Sequence, residues 1–284
     1  MPTLPPPSAL LAPVLDTVRA SGHIIRENWH KPRQVRHKGA IDLVTETDLA
    51  VEDFLTENLR RITPHAAFLA EETAAGLDMG RGTPDVLAHG DCWIIDPVDG
   101  TTNFVHGIPV VATSVALWRA KPDTGQGRVV LGVVNLPLLG ECCHAVYGQG
   151  AWLAAGAAPP GRMQVSPATR LDEAVVGTGF PYDVPRWQEQ ILGWLSEVLP
   201  RAQGVRRLGA AAADLAFVAA GRLDAFYEAS LKPWDVAAGW LLVEEAGGRV
   251  SNLAGEGYAL GQDVLVASNG KVHGPLLAAL AAPA

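Results

Sequence analysis

One segment limits the fold more than any other: Trp93-Ile94-Ile95-Asp96-Pro97-Val98-Asp99-Gly100-Thr101-Thr102-Asn103-Phe104. The apolar residues over 91–95 read as a short buried strand that ends abruptly at Asp96-Pro97. Proline stiffens the turn between the two carboxylates. The turn can therefore aim Asp96, the Val98 carbonyl and Asp99 at one point, and hard oxygen ligands of that kind suit Mg²⁺. Gly100 allows close approach of the backbone to a ligand. If a helix or turn begins there, the Gly100 and Thr101 amides make an anion site. A lone Asp-x-x-Asp is better explained as a capped turn at a strand end. Proline, glycine and two threonines in register favour metal and phosphate binding instead.

Three other segments offer carboxylates to the same place. Leu69-Ala70-Glu71-Glu72-Thr73 follows an apolar stretch; adjacent strand residues point apart, so one of the two glutamates is expected to be a ligand. Asp42-Leu43-Val44-Thr45-Glu46-Thr47-Asp48 places Asp48 at a helix start, and Glu228 and Asp235 flank Ala-Ser-Leu-Lys-Pro-Trp. Taken singly, these are solvated surface or helix caps. Together they set acidic residues at separated element ends in a chain only 18% charged. Clustered carboxylates repel one another unless cations are present.

The 284-residue chain carries a formal net charge of −8, which argues against a general nucleic-acid or membrane-surface binder. Cys92, Cys142 and Cys143 form no Cys-x-x-Cys pair and are expected to be buried thiols in a reducing compartment. The start, MPTLPPPSALLAP, lacks the pattern of a signal peptide, and no apolar run reaches membrane-spanning length. A cytoplasmic protein is expected.

Leu11, Leu15, Val18, Gly22, Ile25 and Trp29 predict one face of a first helix, with Ser8 as its cap. A second helix is expected from Thr47, as N-cap, to about Ile62, burying Val51, Phe54 or Leu55, Leu59 and Ile62. Segments 112–118, 129–135 and 141–147 predict an antiparallel meander. Beyond the small-residue loop near 154–168, strands near 174–178, 205–207, 223–227, 248–252 and 263–267 alternate with helices near 187–199, 211–220, 234–246 and 271–282. That alternation predicts a more parallel sheet. The expected division is an N-terminal α+β half, 1–155, and a C-terminal α/β half, 156–284, in one compact unit.

These residues resemble the inositol monophosphatase family of Mg²⁺-dependent, lithium-sensitive phosphatases. The likeness runs through Lys38, Asp42 to Asp48, Ala70 to Thr73, Trp93 to His106, Thr178 to Pro181, Arg206 to Ala211 and Asp224 to Gly248. It implies an α/β (α+β) fold, a layered α-β-α-β-α sandwich, and a homodimer. It implies two or three Mg²⁺ ions held by Glu71, Asp96, the Val98 carbonyl, Asp99 and Asp235. Asp48 and Thr101 would orient the attacking water, which Glu71 helps to activate. The Gly100 and Thr101 amides would hold phosphate, Asp99, Ala211 and Glu228 would face polyol hydroxyls, and Lys38 would lie near the metals. One departure is Gly209-Ala210-Ala211, which has alanine where many members carry a small hydroxyl residue.

The expected reaction is hydrolysis of a small polyol phosphate, inositol monophosphate first, by metal-activated water and without a phospho-enzyme. Histidinol-phosphate, fructose-1,6-bisphosphate and 3′-phosphoadenosine 5′-phosphate phosphatases share this machinery and are the enzymatic alternatives. A regulatory protein or RNA binder of the same fold is the non-enzymatic one. No Cys-x₅-Arg loop, Asp-x-Asp nucleophile or Gly-x₄-Gly-Lys-Ser/Thr loop is present.

Overall fold

The structure is a computed structural model that describes residues 5–31, 35–37, 43–74, 85–121 and 127–282. The first part of the chain forms α1 (Pro7–Asn28), β1 (Val35–His37), β2 (Leu43–Thr45), α2 (Glu46–Ile62), β3 (Ala67–Ala70) and α3 (Glu71–Ala74). It continues through β4 (Asp91–Asp99), α4 (Thr101–His106), β5 (Ala112–Ala120), β6 (Gly127–Leu136), β7 (Glu141–Val146), β8 (Ala151–Ala155) and β9 (Gly161–Arg162). The remainder forms β10 (Val175–Thr178), α5 (Val184–Val198), β11 (Gly204–Arg206), α6 (Ala211–Ala219) and β12 (Ala225–Ala229). It ends in α7 (Pro233–Glu245), β13 (Arg249–Ser251), β14 (Val264–Ser268) and α8 (His273–Leu280).

Strands β3 to β9 make a seven-stranded sheet in chain order. Only its β3–β4 pair is parallel, so the meander expected over β5, β6 and β7 is present. The second sheet has five strands in the order β11-β10-β12-β14-β13. Its first three are parallel and its last two antiparallel, so it is mixed.

Successive residues of β4 are all buried because both faces of the large sheet are covered. Trp93 and Ile95 pack in the core under α1 and α2, whereas Cys92 and Ile94 join the core of α6 and α7. The latter two helices also touch the second sheet, whose far face carries α5 and α8. The layers are therefore α-β-α-β-α, the sandwich that the resemblance implies. The central helical layer is thin, because a Cβ on Gly132 of β6 would lie 3.0 Å from the Ala238 carbonyl of α7. One on Gly239 would lie 2.5 Å from Leu215 Cβ of α6. All three cysteines are free and buried, as expected.

Several local expectations change. β4 does not stop at Ile95: Asp96 pairs with Ser114, the register shifts, and Asp99 pairs with Ala112. Pro97 has no N–H for the ladder, and a bulge of this kind re-aims the side chains beside it. The α2 cap is Thr45, not Thr47, with Thr47 N–H donating to Thr45 Oγ1 at 3.2 Å. Ser8 lies inside α1, which starts at Pro7, a position where proline loses no hydrogen bond. The buried stripe of α1 runs through Leu10 and Val14 rather than Leu11 and Leu15, which flank it. Glu71 and Glu72 open a helical turn instead of ending a strand.

His273 is fully buried, with Nε2 2.8 Å from Ser251 Oγ and Nδ1 2.8 Å from Ser268 Oγ, and so pins α8 to β13 and β14. Burial, helped by Arg249, pushes its imidazole down to about 4. The neutral ring therefore stabilises the fold fully above the ordinary histidine range, and that contribution is lost as pH falls from about 6.5 towards 4. His273→Asn should cost about 1–2 kcal/mol at pH 7.5 through weakened buried hydrogen bonds. The deficit should shrink below pH 6 because asparagine takes up no proton. Denaturant titrations across pH 4–7.5 check this, and a pH-independent deficit would contradict a buried neutral histidine.

Candidate active site

Between the two sheets lies a cleft of about 200 Å³, and the N-termini of several short helices meet at its wall. Glu71, Asp96, Val98, Asp99, Gly100, Thr101, Ala211, Glu228 and Asp235 all line it. The structure thus gathers residues from β4, α3, α4, α6, β12 and the start of α7. Asp48 is fully buried and lies behind the wall, reached through Thr101. Lys38 falls outside the described residues.

Each acidic side chain has a local reason for its pose. Asp48 occupies the third position of α2, and its Oδ2 accepts the Thr45 amide at 2.9 Å as well as the Thr45 hydroxyl. Its Oδ1 lies 3.0 Å from Thr101 Oγ1, which is also 3.0 Å from the Val98 carbonyl. The hydroxyl has one proton, so it donates to one of these acceptors at a time. Asp99 Oδ2 accepts the Ala212 amide at 2.7 Å, at the start of α6. Asp235 Oδ2 accepts the Lys232 amide at 2.7 Å, closing the start of α7. Helix N-termini carry unpaired N–H groups and partial positive charge, so carboxylates are favoured there.

Neighbouring groups fix this frame. Thr113 Oγ1 donates to the Pro97 carbonyl at 3.0 Å and supports the break in β4. Ser114 Oγ donates to the Trp234 carbonyl at 2.9 Å and ties β5 to the residue before Asp235. Asn103 Nδ2 donates to the Val110 and Leu208 carbonyls, each at 2.8 Å, and joins α4 to the loop before α6. Gly100 has φ +88°, and a Cβ there would lie 3.0 Å from the Val110 carbonyl. Ser230, also on the cleft wall, has φ +63°, a conformation that side chains seldom adopt.

The electrostatics are dominated by burial. It raises the carboxyl pKa of Asp96 well above the usual range, and Glu71, Asp99, Asp235 and Asp48 push it further. Asp235 is raised by burial and then by Asp99, against the pull of the Lys232 amide. Asp99 is raised by burial, opposed chiefly by the Ala212 amide. Glu228 rises through burial and then Asp235. Asp96 Oδ1 is buried and has no hydrogen-bond partner among the described residues. Among the described residues, no group of three or more Asp, Glu, His or Cys side chains is arranged to hold a metal ion. Glu71, Asp96, the Val98 carbonyl, Asp99 and Asp235 bring oxygen donors, the kind that suit hard divalent cations, to the cleft lining.

The sequence reading missed four contributors. Asp214 of α6 is buried, its Oδ1 unpaired among the described residues, and its pKa is raised by burial and by Asp99. A lone aspartate in the alanine-rich run Ala210 to Ala219 was the available signal. Arg207 lies on the cleft wall with its guanidinium 5.6 Å from the Phe180 ring centroid, and Lys232 lines the same cleft. Glu52 reaches the α3 turn from α2.

Known proteins resemble this chain over nearly its whole length. The model of the inositol monophosphatase family matches residues 8–283. An inositol-1-monophosphatase of Mesorhizobium japonicum is 37% identical over 97% of this chain and 97% of its own length. The Nus factor SuhB of Salmonella typhimurium is 36% identical over 95% of this chain and 94% of its own. Among solved structures, the extragenic suppressor protein suhB of Bartonella henselae superposes with a TM-score of 0.84. That match has 33% identity and covers 97% of this chain and 100% of the other.

Raised carboxylate pKa values mean that these groups stabilise the fold below the ordinary carboxylate range, and that the contribution is lost as pH rises through the folded values. In chelator the repulsion therefore grows as pH rises. Asp96→Asn should then raise the melting temperature by about 2–4 °C, since about 1 kcal/mol is worth that much in a chain of this size. A lower melting temperature for the variant would contradict mutual repulsion at Asp96.

Proposed function

The chain belongs to the inositol monophosphatase family and is a phosphoric monoester hydrolase; on that premise we propose that it hydrolyses a small phosphorylated polyol, inositol monophosphate first, in a Mg²⁺-dependent reaction. The observation behind this reading is Asp96, whose buried Oδ1 has no partner among the described residues while burial, and then three other acidic residues of the cleft wall, raise its pKa. Oxygen donors without sulfur or imidazole suit Mg²⁺. In this reading Glu71, Asp96, the Val98 carbonyl, Asp99 and Asp235 hold two or three ions. Bound there, Mg²⁺ would neutralise phosphate charge, acidify a water and stabilise the leaving alkoxide.

The protein's own groups then have separate tasks. Thr101 Oγ1, donating to Asp48 Oδ1 or to the Val98 carbonyl, offers its lone pair to a water proton and so orients that water. Asp48 is held rigid by Thr45 and keeps the hydroxyl turned. Glu71, at the wall, accepts the proton as the water attacks phosphorus. The amides of Gly100 and Thr101 hold phosphate oxygens at the start of α4, where a side chain at Gly100 would collide with Val110 and Ala210. Asp99, Glu228 and the backbone at Ala211 face the polyol hydroxyls. With Ala211 in place of a hydroxyl residue, recognition there rests on the peptide group.

A homodimer in the cytoplasm completes the reading. No described helix is long and apolar enough to cross a membrane. The likeness to a Nus factor favours one second reading, a regulatory protein of the same fold. A single variant separates them: Asp96→Asn abolishes turnover under the enzymatic reading, and an unchanged cellular role in that variant would support regulation.

Turnover of inositol monophosphate, histidinol phosphate, fructose 1,6-bisphosphate and 3′-phosphoadenosine 5′-phosphate should be measured with Mg²⁺ and with EDTA. We expect inositol monophosphate to have the highest kcat/KM, activity to vanish in EDTA and return with Mg²⁺, and millimolar lithium to inhibit. Preference for histidinol phosphate would overturn the substrate assignment, and full activity in EDTA would overturn the metal assignment.

A further inference from the structure

Glu52 lies one helical turn after Asp48 on α2, so the two side chains leave the same face of one helix. It is only 4% exposed. One carboxylate oxygen accepts the Glu72 amide at 2.7 Å; the other accepts the Thr73 amide at 2.8 Å and the Thr73 hydroxyl. Those amides open α3, a turn of four residues that begins at Glu71. The first N–H groups of a helix need partners from outside it, and here a single side chain, 20 and 21 residues away, supplies both.

The turn needs such an anchor. Glu71 interacts repulsively with Asp96, Asp99 and Asp235. Without restraint, that repulsion favours rotation of the short turn away from the cleft. A bidentate carboxylate on two backbone amides resists rotation and displacement together, and charge-assisted bonds are the strong ones. The same helix sets Asp48 against Thr101. Helix α2 therefore fixes the distance between the Thr101 hydroxyl and the Glu71 backbone.

We propose that Glu52 is a positioning residue: through the amides of Glu72 and Thr73 it holds Glu71 at the cleft in the orientation that takes a divalent cation. It touches neither substrate nor cation. This inference rests on the metal-dependent reading above.

The test uses Glu52→Gln, which keeps size and offers one acceptor oxygen in place of two. Mn²⁺ serves as the probe, with free ion counted by electron paramagnetic resonance, alongside Mg²⁺ activation kinetics. Lost support of a metal ligand weakens affinity by about 10–100-fold. We expect that loss in Mn²⁺ affinity and a matching rise in the Mg²⁺ needed for half-maximal activity, with kcat at saturating Mg²⁺ largely kept. In the metal-free protein the Glu72 and Thr73 amides should exchange hydrogen faster. Because Glu52 acts through Glu71, the double variant with Glu71→Gln should bind Mn²⁺ no more weakly than Glu71→Gln alone.

Unchanged Mn²⁺ affinity with a lowered melting temperature would show a merely structural role and overturn the proposal, as would additive losses in the double variant. If Glu52→Gln does not fold, Thr73→Val removes only the hydroxyl contact and should weaken Mn²⁺ binding more mildly; no weakening there also overturns the proposal. Failure of the wild-type protein to bind Mn²⁺ would instead strike the metal-dependent reading itself, and the positioning role would fall with it.

Discussion

The site is built around a repulsion. Asp96, Asp99, Glu71 and Asp235 lie close enough for their charges to oppose one another, and burial removes the water that would screen them. A fold that holds such a group together needs positive potential nearby, and this one draws it mainly from backbone amides. The starts of α2, α3, α6 and α7 are each closed by a carboxylate: Asp48, Glu52, Asp99 and Asp235. Asp99 and Asp235 each place one oxygen on a helix amide and also line the cleft. Asp96, on the bulged strand, has no such amide for Oδ1 among the described residues, so its charge is the least compensated by the backbone.

The layered architecture is what brings these helix starts to one place. Residues of β4 must leave a sheet covered on both faces and emerge at its edge, and Pro97 supplies the break in the ladder. The second sheet can approach only if the helical layer between the sheets is thin. Gly132 against Ala238, and Gly239 against Leu215, show how close that layer is packed. A methyl group at either position would push α7 outward and take Asp235, at its start, with it. Core packing remote from the cleft thus sets carboxylate spacing within it.

Much of this was legible from the chain, for identifiable reasons. The meander over β5, β6 and β7 and the strands and helices after β9 follow from clear periodicity and turn residues. Glu71, Asp96, Asp99 and Asp235 stood out as acids at element ends in a sparsely charged sequence, and all four line the cleft. What the pattern could not give was the partner of each acid. Thr45 and Thr47 are equally good caps on paper, and only the turn of β2 into α2 selects Thr45. Glu52 looks like one more solvated helix residue until β3 and α3 are laid beside it. The strand continuing past Pro97 was likewise hidden, because proline at that point reads as a stop and the pairing of Asp99 with Ala112 is a long-range event.

The cleft lining combines two kinds of chemistry. The side formed by α3, β4 and α4 offers carboxylates, the Val98 carbonyl and the start of α4, all suited to cations and phosphate. The lining also holds Arg207 beside Phe180 and Lys232 at the start of α7, together with Glu228. Arg207 and Lys232 oppose part of the negative potential, since Arg207 lowers the pKa of Glu228 and Lys232 that of Asp235. An anionic group entering this cleft meets both signs of charge, with the carboxylates in the majority. Only with that negative charge neutralised does the cleft become attractive to phosphate as a whole. The same carboxylates that repel one another thus set the potential an anionic group meets here, and Glu52, through the amides of Glu72 and Thr73, anchors the turn that begins at Glu71, one of them.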